Sequence, residues 1–207
     1  MCSSDLSLPV RFIGGGSNLL IADEGVEGLV IRPLLQDFAL DEQGEEALVR
    51  AGAGASFGAL ARTLAKRGWS GLEWAATVPG TVGGAVVNNA GAFGSSVAES
   101  LISARVLLNE VHETDLGLTD LGYRYRSSIL KRQELGSTVV LSATFHLRRI
   151  PPEVARERIR TFQEKRGATQ PKLLSAGSVF ANPPGDFSGR LLEEAGAKGM
   201  RRGDAEI

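Results

Sequence analysis

Residues 78–94 hold five glycines, one proline and two asparagines without a single charge. A surface loop that apolar is a liability, and a core element so rich in glycine packs poorly. Both facts fit a backbone pressed closely against a large bound group. Pro79, Gly80, Thr81, Gly83, Gly84, Asn88, Asn89 and Gly91 are then the contact residues. Their small size admits the approach, and main-chain N–H groups face an anionic or carbonyl-rich ligand. The alternative is a glycine-rich turn between two core segments.

A second stretch has the same character. Gly14, Gly15, Gly16, Ser17, Asn18 and Leu19 follow the apolar residues 10–13. Three glycines permit positive φ, and Ser17 and Asn18 add small polar groups, which suits a nest for phosphate oxygens. A flexible connector is the other reading. A third stretch, residues 170–183, again combines small residues, serines, Asn182 and prolines. Between them, residues 123–128 set two tyrosines and two arginines together, either stacked on the surface or clamping an anion at a site mouth. His112 and His146 lack any spacing to carboxylates that indicates a metal or a triad. Cys2 is the only cysteine, which excludes a disulfide framework and a cysteine-based zinc site.

The bulk composition adds limits. Of 207 residues 43% are hydrophobic and 23% charged, and the net charge is −1. Those values belong to a globular protein with no basic field for nucleic acid. No apolar run approaches the roughly 18 residues that cross a bilayer, and residues 1–6 lack the features of a secretory signal. A cytosolic protein is expected.

The elements that position these stretches read as alternating strands and helices. Strands are expected over 10–13, 28–33, 47–50, 104–108 and 137–149, with a polar hairpin turn at 41–46 and a turn region at 115–120. In the longest strand Val139, Leu141, Ala143, Phe145 and Leu147 share one face. The clearest helix runs from Ser56 to Arg67, with Phe57, Leu60, Ala61, Leu64 and Ala65 on one side and Gly68 as its stop. Its entrance, Gly52, Gly54 and Gly58, resembles a dinucleotide fingerprint, but the third glycine comes one residue late. Pro151 and Pro152 mark a boundary between domains at 1–149 and 150–207. A helix over 153–166 turns Ala155, Ile159 and Phe162 inward, and Ser188 is expected to cap a short helix stopped by Gly196.

Four segments, in order, resemble the UDP-N-acetylenolpyruvoylglucosamine reductase family, the MurB flavoenzymes of peptidoglycan synthesis. They are residues 14–20, residues 79–84 with 89–94, the Tyr125-Arg126-Ser127-Ser128 run, and residues 175–180 with Asn182-Pro183. The resemblance implies an α+β chain: an FAD-binding domain of the vanillyl-alcohol-oxidase type with two α/β lobes, then a smaller, truncated α/β substrate domain. It implies FAD as cofactor, NADPH as co-substrate, and UDP-N-acetylglucosamine enolpyruvate taking turns with NADPH in one site of a monomer. Hydride would reach C3 of the enolpyruvyl group and a proton C2. A fixed cation beside the carboxylate stabilises an enolate-like charge, and Arg126 fits; a hydroxyl can protonate C2, and Ser178 fits. Tyr125, Arg126, Ser178 and Asn182 would contact the substrate.

Ala181 stands where that family usually has lysine. Its sequences also begin with further strands and run on to a catalytic glutamate, so the resemblance implies a fragment. Two other readings remain open. One is an oxidase of the same superfamily, many of which tether FAD through a histidine or cysteine that this chain lacks near residues 14–19. The other is a flavin- or sugar-nucleotide-binding module without turnover.

Overall fold

The computed structural model of the chain describes residues 8–109, 111–170, 175 and 177–207. Cys2 and parts of the third glycine–serine stretch, residues 171–174 and Ala176, lie outside the described residues. The chain forms two compact units that divide between residues 174 and 175.

The first unit opens with two short parallel strands, β1 (Val10–Phe12) and β2 (Leu29–Ile31). A hairpin of β3 (Phe38–Gln43) and β4 (Glu46–Gly52) follows, turning at Gly44 with φ +66°. Helix α1 (Phe57–Lys66) leads to β5 (Trp69–Ser70), a 3₁₀ turn (Glu73–Thr77) and the short helix α2 (Val82–Asn88). Next come a small hairpin, β6 (Gly91–Ala92) and β7 (Ser95–Ser96), then β8 (Leu101–Leu108), β9 (His112–Gly117), β10 (Thr138–Arg149) and helix α3 (Pro152–Thr169). The main sheet is antiparallel in the order β3-β4-β10-β8-β9, with β5 added at the end of β10.

Helix α1 forms as its sequence dictates. Ser56 Oγ accepts from the Ala59 N–H, Gly68 follows its last turn at φ +80°, and Phe57, Leu60, Ala61, Leu64 and Ala65 are buried. Phe57 is the hub of the core: its ring centroid lies 5.7 Å from Trp74, edge to face, and 5.8 Å from Phe145. The guanidinium of Arg149 covers Trp69 at 4.1 Å, while the Trp69 indole N–H donates to Glu42.

Two expectations are corrected. The region at 115–120 is not simply a turn, because residues 112–117 pair with β8 as strand β9. Arg105 on β8 draws it in through ion pairs to Glu113 at 2.9 Å and Asp115 at 3.8 Å. The alternation along β10 is broken by a bulge at Leu141, since Val140 pairs Val106 and Ser142 pairs the adjacent Arg105. Leu141 therefore leaves the buried face, Val140 enters it, and the expected pattern resumes at Ala143. Pro151 and Pro152 form the corner into α3, which buries Ala155 and Ile159 and stacks Phe162 on Phe93 at 4.9 Å.

The second unit holds α4 (Ser188–Glu194) and the hairpin of β11 (Arg201–Arg202) and β12 (Ala205–Glu206). Ser188 is the first residue of α4 rather than its cap. Asn182 does the capping from outside, its Oδ1 accepting from the Ser188 N–H at 3.0 Å and the Ser188 hydroxyl at 3.1 Å.

A buried carboxylate ties α3 to the core. Glu73, 5% exposed, accepts from the Ser70 hydroxyl at 2.7 Å, the Gly71 N–H at 2.7 Å and Arg158 of α3 at 3.0 Å. Burial pushes its carboxyl up, but those donors together hold it below the usual glutamate value. A carboxyl depressed on folding adds stability above its unfolded pKa, and the gain fades as the pH falls through the folded one. Glu73→Gln can satisfy one or two of the donors but not the Arg158 charge. We expect a loss of about 1–3 kcal/mol at neutral pH, shrinking below the ordinary glutamate pKa of about 4.3. Urea unfolding of both proteins at neutral and acid pH checks this; an equal difference at both would exclude the charge as its source.

Candidate active site

The two glycine-rich stretches of the first unit lie back to back. A Cβ built on Gly14 would stand 2.6 Å from Thr81 Oγ1, and one on Gly15 would stand 3.3 Å from the Gly80 Cα. A Cβ on Gly80, whose φ is +101°, would stand 2.7 Å from Ser17 Oγ. Gly15 faces main chain, Gly14 and Gly80 face the hydroxyls of the opposite turn, and the positive φ of Gly80 favours glycine in its own right. Gly16, at φ +74°, has nothing within 4 Å, so its glycine serves conformation alone. Asn18 and Leu19 are exposed at the end of this turn.

Beside the junction opens a cleft of about 540 Å³. Gly15, Ser17, Pro79, Gly80 and Thr81 line it together with Ser56 and Thr63 of the α1 region. Arg32, just after β2, is its one charged lining residue among the described residues. The N–H groups of Gly15, Gly16, Ser17, Gly80 and Thr81 donate to no protein acceptor among the described residues. Unpaired amides, one cation and no carboxylate make a cleft for an anionic group such as a pyrophosphate. Arg32 escaped sequence reading; the available signal was a lone arginine between an apolar strand and Pro33.

Further along, the stretch serves the fold directly. The Val82 N–H donates to Ala55 O and the Gly83 N–H to Ala53 O, both at 2.9 Å. A Cβ on Gly83 would stand 2.9 Å from the Ala53 Cβ. The Gly84 N–H reaches the Thr81 hydroxyl at 3.4 Å, capping α2. Asn88 Nδ2 returns to Gly84 O at 2.9 Å, and a Cβ on Gly91 would meet Ser95 O at 2.6 Å across the β6–β7 hairpin. Both readings of residues 78–94 therefore have a share: its first residues line a cleft, and the rest is close packing.

The C-terminal end of α2 grips the loop that carries the arginine–tyrosine run. The Tyr123 hydroxyl donates to Val86 O at 2.9 Å, its phenol pushed up by burial and so protonated. The Ser128 hydroxyl, fully buried, donates to Val87 O at 2.6 Å and accepts from the Lys131 N–H at 3.1 Å. The loop thereby gives Val87 O a donor and adds a second one to Val86 O, which also takes the Asn89 N–H at 3.2 Å. That loop turns at Arg124–Ser127, whose N–H groups exchange bonds at 3.0 and 3.1 Å, with Arg126 at φ +55°. The Arg126 guanidinium lies 5.8 Å over the exposed Tyr125 ring and makes no ion pair among the described residues. It is stacked and also free to meet an anion.

Ser178 and Asn182 belong to the second unit, which is described by itself. Ser178 is exposed, after Gly177 at φ +77°, whose N–H donates to the Ser175 hydroxyl at 3.0 Å. The Asn182 carbonyl oxygen is occupied by Ser188, leaving its NH₂ as the available group. Among the described residues no histidine, cysteine or carboxylate cluster could hold a metal, and no helix is long and apolar enough to cross a membrane.

Comparison with known proteins accounts for both units. Residues 2–114 match the family described as FAD binding domain. Residues 170–207 match the C-terminal domain of UDP-N-acetylenolpyruvoylglucosamine reductase. The chain is 46% identical over 202 residues to the UDP-N-acetylenolpyruvoylglucosamine reductase of Chloroflexus aggregans, covering 97% of this chain and 68% of that protein. The crystal structure of UDP-N-acetylenolpyruvylglucosamine reductase (MurB) from Thermus caldophilus superposes with a TM-score of 0.84 at 35% identity, over 97% of this chain and 71% of that one. A VAO-type flavoprotein from Myceliophthora thermophila, 14% identical, shares the fold over 71% of this chain and 28% of its own, with a TM-score of 0.50. An FAD-binding architecture, an anion cleft of paired glycine turns and a relative matched across nearly the whole chain agree: the chain belongs to the UDP-N-acetylenolpyruvoylglucosamine reductase family of oxidoreductases.

Proposed function

We propose that the chain serves the NADPH-dependent reduction of UDP-N-acetylglucosamine enolpyruvate to UDP-N-acetylmuramate, with NADPH and the sugar nucleotide occupying one site in turn. The observation that carries this reading is the double use of α2. One end borders the anion cleft and the other holds a turn that presents an unpaired arginine. The cleft suits FAD: the amides of Gly15, Gly16, Ser17, Gly80 and Thr81 would face its pyrophosphate, with Arg32 supplying the compensating charge. FAD, when bound, supplies hydride transfer from NADPH to C3 of the enolpyruvyl group, so the protein needs no nucleophile of its own.

The remaining work falls to side chains. Hydride addition at C3 drives charge onto C2 and its conjugated carboxylate. Arg126 holds that carboxylate in a fork and stabilises the charge as it develops. Ser178 gives its proton to C2, completing net addition of two hydrogens across the double bond. Tyr125 and the Asn182 NH₂ contact the sugar nucleotide.

Two variants in the complete reading frame test these roles. Arg126→Lys keeps the charge and loses the fork. Reaction with the enolpyruvyl sugar should slow at least about tenfold, the worth of one charged hydrogen bond, while flavin reduction by NADPH survives. Equal loss of both half-reactions would make Arg126 a support of the fold. Ser178→Ala removes one exposed oxygen and should slow only the step with the enolpyruvyl sugar, by roughly 10²–10⁴-fold. Ser178→Cys should retain more. Stopped-flow absorbance separates the half-reactions, and a wild-type rate in Ser178→Ala would move the proton donor elsewhere.

A further inference from the structure

Asn89 reads from sequence as part of the cofactor surface, yet its side chain is engaged within the protein. It ends α2 in the left-handed conformation, at φ 42° and ψ 57°, and is 9% exposed. Its Nδ2 donates to Arg124 O at 3.1 Å, and its Oδ1 accepts from the Ala98 N–H at 3.2 Å. Both ends of the amide are used, and one of them is used on the Arg126 turn.

We propose that Asn89 is the positioning residue for Arg126. Arg124 O is the acceptor that closes the turn, taking the Ser127 N–H at 3.1 Å, and Asn89 ties the same oxygen to the end of α2. Arg126 sits at a positive φ that costs a long side chain of order 1 kcal/mol or more, so the surrounding structure must over-determine the turn. Lys131, whose Nζ bonds Arg126 O at 3.0 Å, acts from within the loop; Tyr123 and Ser128 anchor its flanks. Among the described residues Asn89 is the side chain from outside the loop that bonds the turn, while Arg132 bonds the Ser127 hydroxyl at 3.1 Å from within it. Without Asn89 the Arg124–Ser127 bonds open more readily, and the tilt of the turn against the end of α2 is left to Tyr123 and Ser128 at its flanks. Displacement of a clamp by about 1 Å can cost as much as 10²-fold in rate. The inference rests on the role given to Arg126 above.

Asn89→Gly isolates the side chain, because glycine adopts φ 42° without strain and preserves the helix end. Asn89→Asp keeps the acceptor for Ala98 but turns a carboxylate oxygen toward Arg124 O, so it should behave like the glycine variant. Three measurements in the complete protein decide the matter. FAD affinity, read by flavin fluorescence, should be unchanged. Amide exchange of Ser127, read without ligand, should quicken by about tenfold, the worth of one hydrogen bond. Reaction with the enolpyruvyl sugar should slow roughly 10–100-fold while flavin reduction by NADPH stays normal. Arg126→Lys should then add less in the Asn89→Gly background than it costs alone, since the two would act through one contact. Weakened FAD binding with unaltered Ser127 exchange would overturn the proposal and return Asn89 to the cofactor surface. Strictly additive variants would overturn it too. The exchange measurement needs no turnover, so it judges the clamp even if Arg126 proves to have another role.

Discussion

Everything in the first unit depends on how closely a few backbone segments approach one another. The five residues from Gly52 to Ser56, joining β4 to α1, run between two other stretches of main chain. On one side a Cβ on Gly52 would stand 2.3 Å from Leu35 O, and one on Gly54 would stand 2.5 Å from Pro33 O. On the other side the Ala53 carbonyl takes the Gly83 N–H, and the Ala55 carbonyl takes that of Val82. Backbones this near leave no room for side chains, and interiors packed to crystal density cannot absorb one. Of the glycines that imitate a dinucleotide fingerprint, Gly52 and Gly54 are explained by this sandwich, and Gly58 by the Val78 and Ala76 carbonyls, 3.1 and 3.2 Å from where its Cβ would stand. Gly54 also lines the cleft, so the connection forms part of its wall.

Helix α2 carries that order outward. Its first turn is anchored on the β4–α1 connection and its last turn on the loop from Tyr123 to Ser128. Seven residues therefore separate the wall of an anion cleft from an arginine held in readiness. The short distance matters because every group in between is hydrogen-bonded or packed, and little freedom is left to blur the spacing.

Much of this was legible in the sequence where the signal is local. The face of α1, the inward residues of α3 and the far half of β10 all follow from period and cap. The glycine stretches were recognisable as close approaches, but glycine looks the same whether it admits a ligand or a neighbouring strand. Only the fold tells Gly80, at the cleft, from Gly83, against Ala53. Strand β9 was hidden because Glu113 and Asp115 have poor strand propensity, and pairing with β8 along six positions overrides it. Asn89 was hidden for a related reason: its partners lie nine and thirty-five residues away.

The bulge in β10 gives this architecture an unequal tolerance to changes of length. Leu141, the extra residue, directs its carbonyl to the Ala53 N–H at 2.9 Å, so the kink is also a support for the β4–α1 connection. Deleting one residue there would remove this bulge from the ladder to β8 and leave the second irregularity, between Thr144 and Phe145. It would also remove that support and reverse the facing of every residue on one side of the deletion. The hairpin tip at Gly44, where a Cβ would meet nothing within 4 Å, imposes no such condition. Insertions and deletions accepted by this fold should therefore gather at the outer turns, and the centre of its longest strand should keep its residue count even as its side chains drift.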